Sequence, residues 1–233
     1  KPYTTGLGGV VITSDRELAE RIESLAANEM CPPSGREVFM LRIQLMIYRL
    51  FIYPRTTALA QSLFRYLTKK GAVVGSSSTS EFEPVKADDF FKAMSSVQAR
   101  SGIRQLGKIE KNIAHRRKTA QLYDELLAAK GFKSSRDSRD WAEPVMVRYP
   151  VRIEEKDKAL AQAAKAGIEL GSWFECPLHP IETPLVSYNY ELGMCPEAEK
   201  AAHEVVNLPL HPRTSKKTVE RSVDFITGFT QAG

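Results

Sequence analysis

The sequence contains few cysteines and lacks a long apolar segment. Its 233 residues include three cysteines, Cys31, Cys176 and Cys195, an odd number with no closely spaced pair. This usage argues against a disulfide framework and favours a reducing compartment, so we expect the protein to be cytoplasmic. No uninterrupted apolar run approaches the roughly 20 residues that a membrane-spanning helix needs. No signal peptide is visible in the sequence.

Internal repeats and an excess of charge over the whole chain are also absent. Without a repeat, solenoid architectures are excluded, and the 42% hydrophobic and 26% charged residues are ordinary for a globular protein. The net charge is +5, but residues 36–70 hold seven basic residues against one acidic residue. That segment is therefore +6 and the remainder −1. Because the basicity belongs to one segment, we do not expect nucleic acid as a partner.

The chain begins with Lys1 instead of methionine, directly before a turn-rich and glycine-rich stretch at residues 2–9. Residues 8–13 then have the apolar character of a strand. One strand cannot bury both of its faces alone. We therefore expect the chain to be a fragment, with the rest of a sheet supplied by a missing N-terminal part.

The remaining sequence predicts an α/β protein with short strands. Helices are expected at residues 15–28, 36–53, 55–70, 88–129, 154–166, 197–206 and 215–229, and strands at 144–153, 168–170 and 207–210. Ser14 or Asp15 is expected to cap the first helix and Ser215 the last. Within the fourth helix, Gly102 and Gly107 indicate close packing or a bend. The loop chemistry of residues 71–87 predicts a boundary between domains at 1–85 and 86–233. Residues 171–195 form a long loop rich in aromatics and prolines, which we expect to be functional.

Several stretches match one family pattern when they are taken in order. They are residues 1–19, 94–99 with the following helix, 149–151, 177–179 and 196–212. Together they resemble the DegT/DnrJ/StrS type of pyridoxal-phosphate sugar aminotransferases. The resemblance implies an α/β fold, the C-terminal part of a fold-type-I transferase. It comprises the end of the large domain, with a basic helical hairpin at 36–70, and the small C-terminal domain.

The resemblance also implies a role for the first residues of the chain. Lys1 would bind pyridoxal phosphate as a Schiff base and shuttle a proton, because only a primary amine forms an imine that an amino donor can displace. Thr4, Thr5 and Gly6 would be further cofactor contacts. The glycines would let the backbone pass the cofactor without a side-chain collision.

The activity implied is transfer of an amino group, from glutamate, onto a nucleotide-linked keto sugar in polysaccharide or glycan precursor biosynthesis. A homodimer is implied as well, and the fragment alone is expected to be inactive. The family's aromatic or histidine pair aligns with Trp173 and Phe174, which become substrate-binding residues. His179 is a candidate contact for a sugar hydroxyl or a diphosphate, and the alternative is a loop histidine satisfied by backbone.

One departure concerns the residues before Met94, where the family typically has Asn-x-Arg and this chain has Phe91, Lys92 and Ala93. The departure weakens the expectation of a cofactor contact between subunits. The basic hairpin at 36–70 is expected to form a core or subunit interface. Its alternative is a peripheral membrane contact through arginines.

Two alternative functions stay open at this point. The first is a non-catalytic helical or basic interaction module, or a degenerate paralogue of the family. The second is a sugar dehydratase of the same fold, disfavoured because such relatives typically carry histidine in place of Lys1. A zinc site at Cys176, His179, Cys195 and His203 is not expected, because their spacing lacks a second tight pair.

Overall fold

The structure, a computed structural model, describes residues 3, 5, 8–51, 91–133, 141–178 and 185–232, with only the backbone for 48–51. The chain divides into two compact units, one ending at Gly107 and the other beginning at Lys108. The predicted domain boundary between residues 85 and 86 and the predicted helix at 55–70 lie outside the described residues. In the described part, no helix is long and apolar enough to cross a membrane.

Within its described residues, the first unit contains three helices, α1 (Arg16–Glu29), α2 (Gly35–Phe51) and α3 (Ser96–Leu106). The predicted cap of α1 is confirmed, because Asp15 Oδ1 accepts the Leu18 N–H at 3.1 Å. At the start of α2, Ser34 and Glu37 exchange backbone-to-side-chain hydrogen bonds of 2.8 and 3.3 Å in a capping box.

The predicted strand at residues 8–13 is wrong for the structure described. These residues adopt no regular structure, and Val10, Val11 and Ile12 are 59%, 72% and 89% exposed. A strand exists only through hydrogen bonds to a neighbouring strand. Within the described residues, the one sheet consists of two other strands, so residues 8–13 have no strand to pair with there.

The single helix predicted for residues 88–129 is also wrong, because two helices occupy this region. Ser95 accepts the Gln98 N–H and Gln98 accepts the Ser95 N–H, a capping box that starts α3 at Ser96. The helix ends at Leu106, and Gly107 and Lys108 separate it from α4 (Ile109–Ala128). The bend indicated by Gly107 is therefore a complete break.

In the part of the second unit that the structure describes, α4 is followed by five further elements and one short turn of 3₁₀ helix at Leu185–Tyr188. They are β1 (Arg148–Arg152), α5 (Lys156–Ala166), α6 (Pro196–Glu204), β2 (Val205–Pro209) and α7 (Lys216–Ile226). The two strands pair antiparallel. Ser215 caps α7 as predicted, accepting the Thr218 N–H at 3.1 Å.

The core of the second unit lies on one face of this two-stranded sheet. Tyr149 stands opposite Leu208, and Val151 opposite Val206. All four are at most 2% exposed, and they pack with buried residues of α4 and α7. Alternate residues of a strand share a face. The other face of the sheet therefore carries Asn207 and the first and last residues of each strand.

Four predicted boundaries in this unit need correction. The strand expected at 144–153 is regular over Arg148–Arg152 alone, and residues 168–170 are not a strand. Gly171 exchanges two backbone hydrogen bonds of 2.8 and 2.9 Å with Asn207 instead. The helix expected to reach residue 206 ends at Glu204, because its next residues already pair as β2. The last helix ends three residues early, at Ile226.

Candidate functional site

The first group of predicted site residues lies near the start of the chain. Lys1, Thr4 and Gly6 fall outside the described residues. Thr5 is buried, at 9% exposed, and a Cβ placed on Gly102 would lie 3.3 Å from its γ-methyl carbon. Gly102 thus permits close packing of Thr5 on α3, as its presence in the sequence indicated. Gly8 has a φ of +100°, a conformation that favours glycine.

Two described positions near the start of the chain bear on a cofactor. Thr5 packs against Gly102 of α3, and Gly8 has a positive φ that favours glycine, which is compatible with a backbone passing close to a bound group. The described residues do not include the amine that would bind it. The roles of Lys1, Thr4, Thr5 and Gly6 therefore remain predictions.

Lys92, in the segment that departs from the family pattern, has a local partner. Its ammonium donates to Glu37 Oε1. On either side of Lys92, the Cys31 N–H donates to the Phe91 carbonyl at 2.8 Å and the Ala93 N–H donates to the Cys31 carbonyl at 2.9 Å. The Lys92 hydrogen bond, followed by the Ser34 backbone N–H, lowers the pKa of Glu37 to about 2. Lys92 thus fixes this segment to the start of α2.

The second group of predicted site residues lies in the loop after α5, which is held by its main chain. The Asn207 side-chain amide donates to the carbonyl oxygen of Trp173. The ammonium of Lys156 donates to the carbonyl oxygen of Phe174 at 2.9 Å. Two consecutive carbonyls are therefore fixed by side chains from two different elements, β2 and α5.

The side chains of this aromatic pair remain accessible. Trp173 and Phe174 are 43% and 60% exposed, and their rings are nearly parallel, with an interplanar angle of 16° and centroids 6.3 Å apart. The guanidinium carbon of Arg148 lies 5.7 Å from the centre of the indole ring, within the range of a cation–π contact. The pair presents flat apolar faces of the kind that stack on rings of a ligand.

A carboxylate and an imidazole extend this group. Arg148 Nη1 lies 3.5 Å from Glu169 Oε1, and His211 Nε2 lies 3.1 Å from Glu169 Oε2. His211 Nδ1 accepts the backbone N–H of Arg213 at 3.2 Å, so Nε2 carries the proton donated to Glu169. The hydrogen bond from His211 and the charge of Arg148 lower the pKa of Glu169. His211 therefore joins Glu169 and Arg148 in one hydrogen-bonded network.

Lys156 is the buried cation of the site. It is 6% exposed, and besides Phe174 it donates to the carbonyl oxygen of Ala202 at 2.6 Å. Burial lowers the pKa of its ammonium, and the carboxylates of Glu175 and Asp157 oppose that shift. Hydrogen bonds to carbonyl oxygens compensate the charge for part of its lost hydration.

The structure brings together some of the predicted residues and adds five others. Trp173 and Phe174 lie side by side, whereas His179 is outside the described residues. Arg148, Lys156, Glu169, Asn207 and His211 were not predicted as site residues. Only Lys156 carried a signal in the sequence, a cation at the start of a helix. Across the described residues, no group of three histidine, cysteine or acidic side chains could hold a metal ion.

Comparison with known proteins gives a consistent result. Residues 89–227 match the sequence profile of the DegT/DnrJ/EryC1/StrS aminotransferase family. An L-glutamine:2-deoxy-scyllo-inosose aminotransferase from Streptomyces paromomycinus is 26% identical over 185 residues, which are 79% of this chain and 35% of that protein. A pleiotropic regulatory protein from Geobacillus stearothermophilus is 31% identical over 116 residues, 49% of this chain and 31% of that protein. The chain thus spans about a third of the length of these curated relatives.

Solved structures agree on the fold. DesV of S. venezuelae, determined with a ketimine intermediate, has a TM-score of 0.52 at 21% identity, covering 63% of this chain and 40% of DesV. A DegT/DnrJ/EryC1/StrS aminotransferase from Brucella abortus has a TM-score of 0.50 at 23% identity, covering 58% and 35%. The predicted class, an α/β part of a fold-type-I transferase, is confirmed.

Proposed function

The chain belongs to the DegT/DnrJ/EryC1/StrS aminotransferase family, and on that premise we propose that it is part of an aminotransferase that acts on a nucleotide-linked keto sugar. Family membership over residues 89–227 is the observation that carries this proposal. Glutamate is the proposed amino donor. The Streptomyces relative is named for L-glutamine, so glutamine is the alternative donor to test beside it. The setting we propose is glycan or polysaccharide precursor synthesis by a cytoplasmic homodimer.

Members of this family use pyridoxal phosphate, which when bound supplies an electron sink for bond breaking at the amino carbon. We propose Lys1 as the amine that binds the cofactor and moves a proton between donor and acceptor. Thr4, Thr5 and Gly6 would border the cofactor.

The aromatic loop is the proposed substrate side of the site. Trp173 and Phe174 present exposed, nearly parallel rings on a loop whose carbonyls are fixed. We propose that they stack on a ring of the sugar nucleotide, because apolar ring faces and aromatic faces gain from shared burial. His179 would contact a sugar hydroxyl or the diphosphate.

The test compares the longest natural product of the gene with its Lys1→Ala variant. Each is mixed with pyridoxal phosphate, and visible absorbance is recorded before and after glutamate or glutamine is added. The unmodified protein should bind the cofactor with colour that the right donor discharges, and it should release the matching keto acid. Lys1→Ala should lose both effects, whereas Lys158→Ala, at an exposed lysine of α5, should keep them. Colour that survives unchanged in Lys1→Ala would refute the role of that lysine.

A second candidate function is regulatory and non-catalytic. It is favoured by the Geobacillus relative, whose name describes a pleiotropic regulatory protein. In this case the protein would show neither cofactor absorbance nor keto acid release with either donor. The same experiment therefore separates the two functions.

A further inference from the structure

Lys156 stands where local structure disfavours a lysine. It is the first residue of α5, where its charge faces the positive end of the helix dipole. It is also buried, which lysine rarely is without a partner. Residues that conflict with the preferences of their local structure are commonly found at functional sites. The contacts of Lys156 show what it does there.

Its ammonium connects two segments far apart in the sequence. One acceptor, the Ala202 carbonyl, belongs to the last turn of α6, whose carbonyl oxygens lack helical partners and attract a cation. The other acceptor is the carbonyl of Phe174 in the aromatic loop. The cation therefore ties the loop to the end of a helix.

We propose that Lys156 is a positioning residue, whose ammonium holds the Phe174 carbonyl to the end of α6 and thereby orients the Trp173 and Phe174 rings for substrate binding. Asn207 assists by holding the neighbouring carbonyl. The consequence for binding rests on the proposed substrate role of the aromatic pair. The orientation of the rings does not depend on that role and can be measured separately.

The direct test follows Trp173, one of the two tryptophans in the chain. Trp141 is 76% exposed, so Trp141→Phe leaves Trp173 as the single tryptophan at little cost to stability, and excitation at the red edge of the absorption band selects it over tyrosine. In this background, Lys156→Met removes the donors and keeps an apolar stem of similar length. We expect lower anisotropy and stronger acrylamide quenching of Trp173. Lys158→Met, two residues along α5 and paired with Glu155 at 2.8 Å, should leave both values unchanged.

Steady-state kinetics provide the second test of the positioning role. If Trp173 and Phe174 bind the sugar nucleotide, Lys156→Met should raise the KM for that substrate by roughly three- to tenfold, the range expected for losing one or two hydrogen bonds that order a binding loop. The kcat and the reaction with the amino donor should stay near their original values. A general loss of stability would lower all of these together.

The outcomes separate the two proposals. A folded Lys156→Met variant with unchanged anisotropy and quenching would overturn the positioning role. Changed fluorescence with an unchanged KM would overturn its link to substrate binding. Absence of transamination in the unmodified protein would contradict the proposed function, while the fluorescence would still decide the positioning role. Should circular dichroism show that Lys156→Met does not fold, Lys156→Gln, whose side chain is shorter and uncharged, takes its place: stronger quenching of Trp173 would support the positioning role, and unchanged anisotropy and quenching would overturn it.

Discussion

The guanidinium of Arg148 lies over the indole ring of Trp173, with 5.7 Å between its carbon atom and the ring centre. Arg148 is the first residue of β1 and is steadied by Glu169 at 3.5 Å. Because β1 forms part of the core sheet, the backbone that carries the guanidinium is held in place. The ring of Trp173 is therefore held from two directions, by this cation and by the hydrogen bond to its own carbonyl.

Arg148→Met should remove the cation–π contact and destabilise the loop by about 0.5–1 kcal/mol, the usual size of such a contact at a half-exposed site. A double-mutant cycle with Trp173→Leu measures this coupling as a free energy of unfolding in urea. Arg148→Lys, which keeps charge without the planar group, should retain part of it. Zero coupling in the cycle would show that the two groups are merely adjacent.

Tyr149→Phe should lower the free energy of unfolding by about 1–2 kcal/mol. The Tyr149 hydroxyl donates to Asp124 Oδ1 at 2.6 Å, so the substitution takes a donor from a partly buried carboxyl group. Tyr188→Phe is the matched control, because the buried Tyr188 hydroxyl has no hydrogen-bond partner among the described residues. Thermal and urea unfolding should show a loss for Tyr149→Phe alone. Equal losses in the two variants would contradict the assigned role of the hydrogen bond.

Gly167→Ala should cost about 1 kcal/mol of stability. Gly167 ends α5 with φ at +63°, where a Cβ is unfavourable although no atom lies within 4 Å of it. Gly107 ends α3 with φ at −61°, so Gly107→Ala should be neutral or stabilise the chain by up to about 1 kcal/mol. Urea unfolding of the two variants checks the difference. A loss in Gly107→Ala as large as that in Gly167→Ala would mean that packing, and not backbone conformation, sets the effect.

Glu37→Gln should destabilise the chain at neutral pH and not in acid. The folded-state pKa of Glu37 is about 2 against an ordinary 4.5, so its stabilising contribution is present above 4.5 and is lost as the pH falls towards 2. Both partners are about one-third exposed, which limits the effect to about 0.5 kcal/mol. Unfolding free energies across this range should converge for the two proteins. Glu20→Gln, in an exposed pair with Arg16, should show a smaller difference at neutral pH.

The sequence predicted those features that depend on neighbouring residues. Asp15 and Ser215 start their helices as expected because a cap is a contact between residues three apart. The strand predicted for residues 8–13 was wrong because it depends on a distant partner. An apolar run indicates that a segment favours burial, but it does not show which strand would pair with it. The continuous helix failed because apolar spacing persists across Gly107. Each of these errors concerns a feature that spacing alone does not determine.

The candidate site could be predicted from the sequence only to the same extent. Trp173 and Phe174 were proposed as substrate contacts through their order in a family pattern. Their supports were not, because Lys156 reaches residues 18 and 46 positions away and nothing in local spacing connects these positions. Asn207 reads in the sequence as part of a strand, and only the fold brings its amide to the carbonyl of Trp173.

The anchoring of the aromatic loop through carbonyl oxygens separates what the loop displays from what holds it. Every residue has a carbonyl, so Asn207 and Lys156 would hold positions 173 and 174 whatever side chains these positions carried. On the proposed substrate role of this pair, replacement of either ring should change ligand preference without rebuilding the loop. Under that proposal, these two positions form an exchangeable recognition module, and a small library of substitutions there is the economical way to redirect specificity.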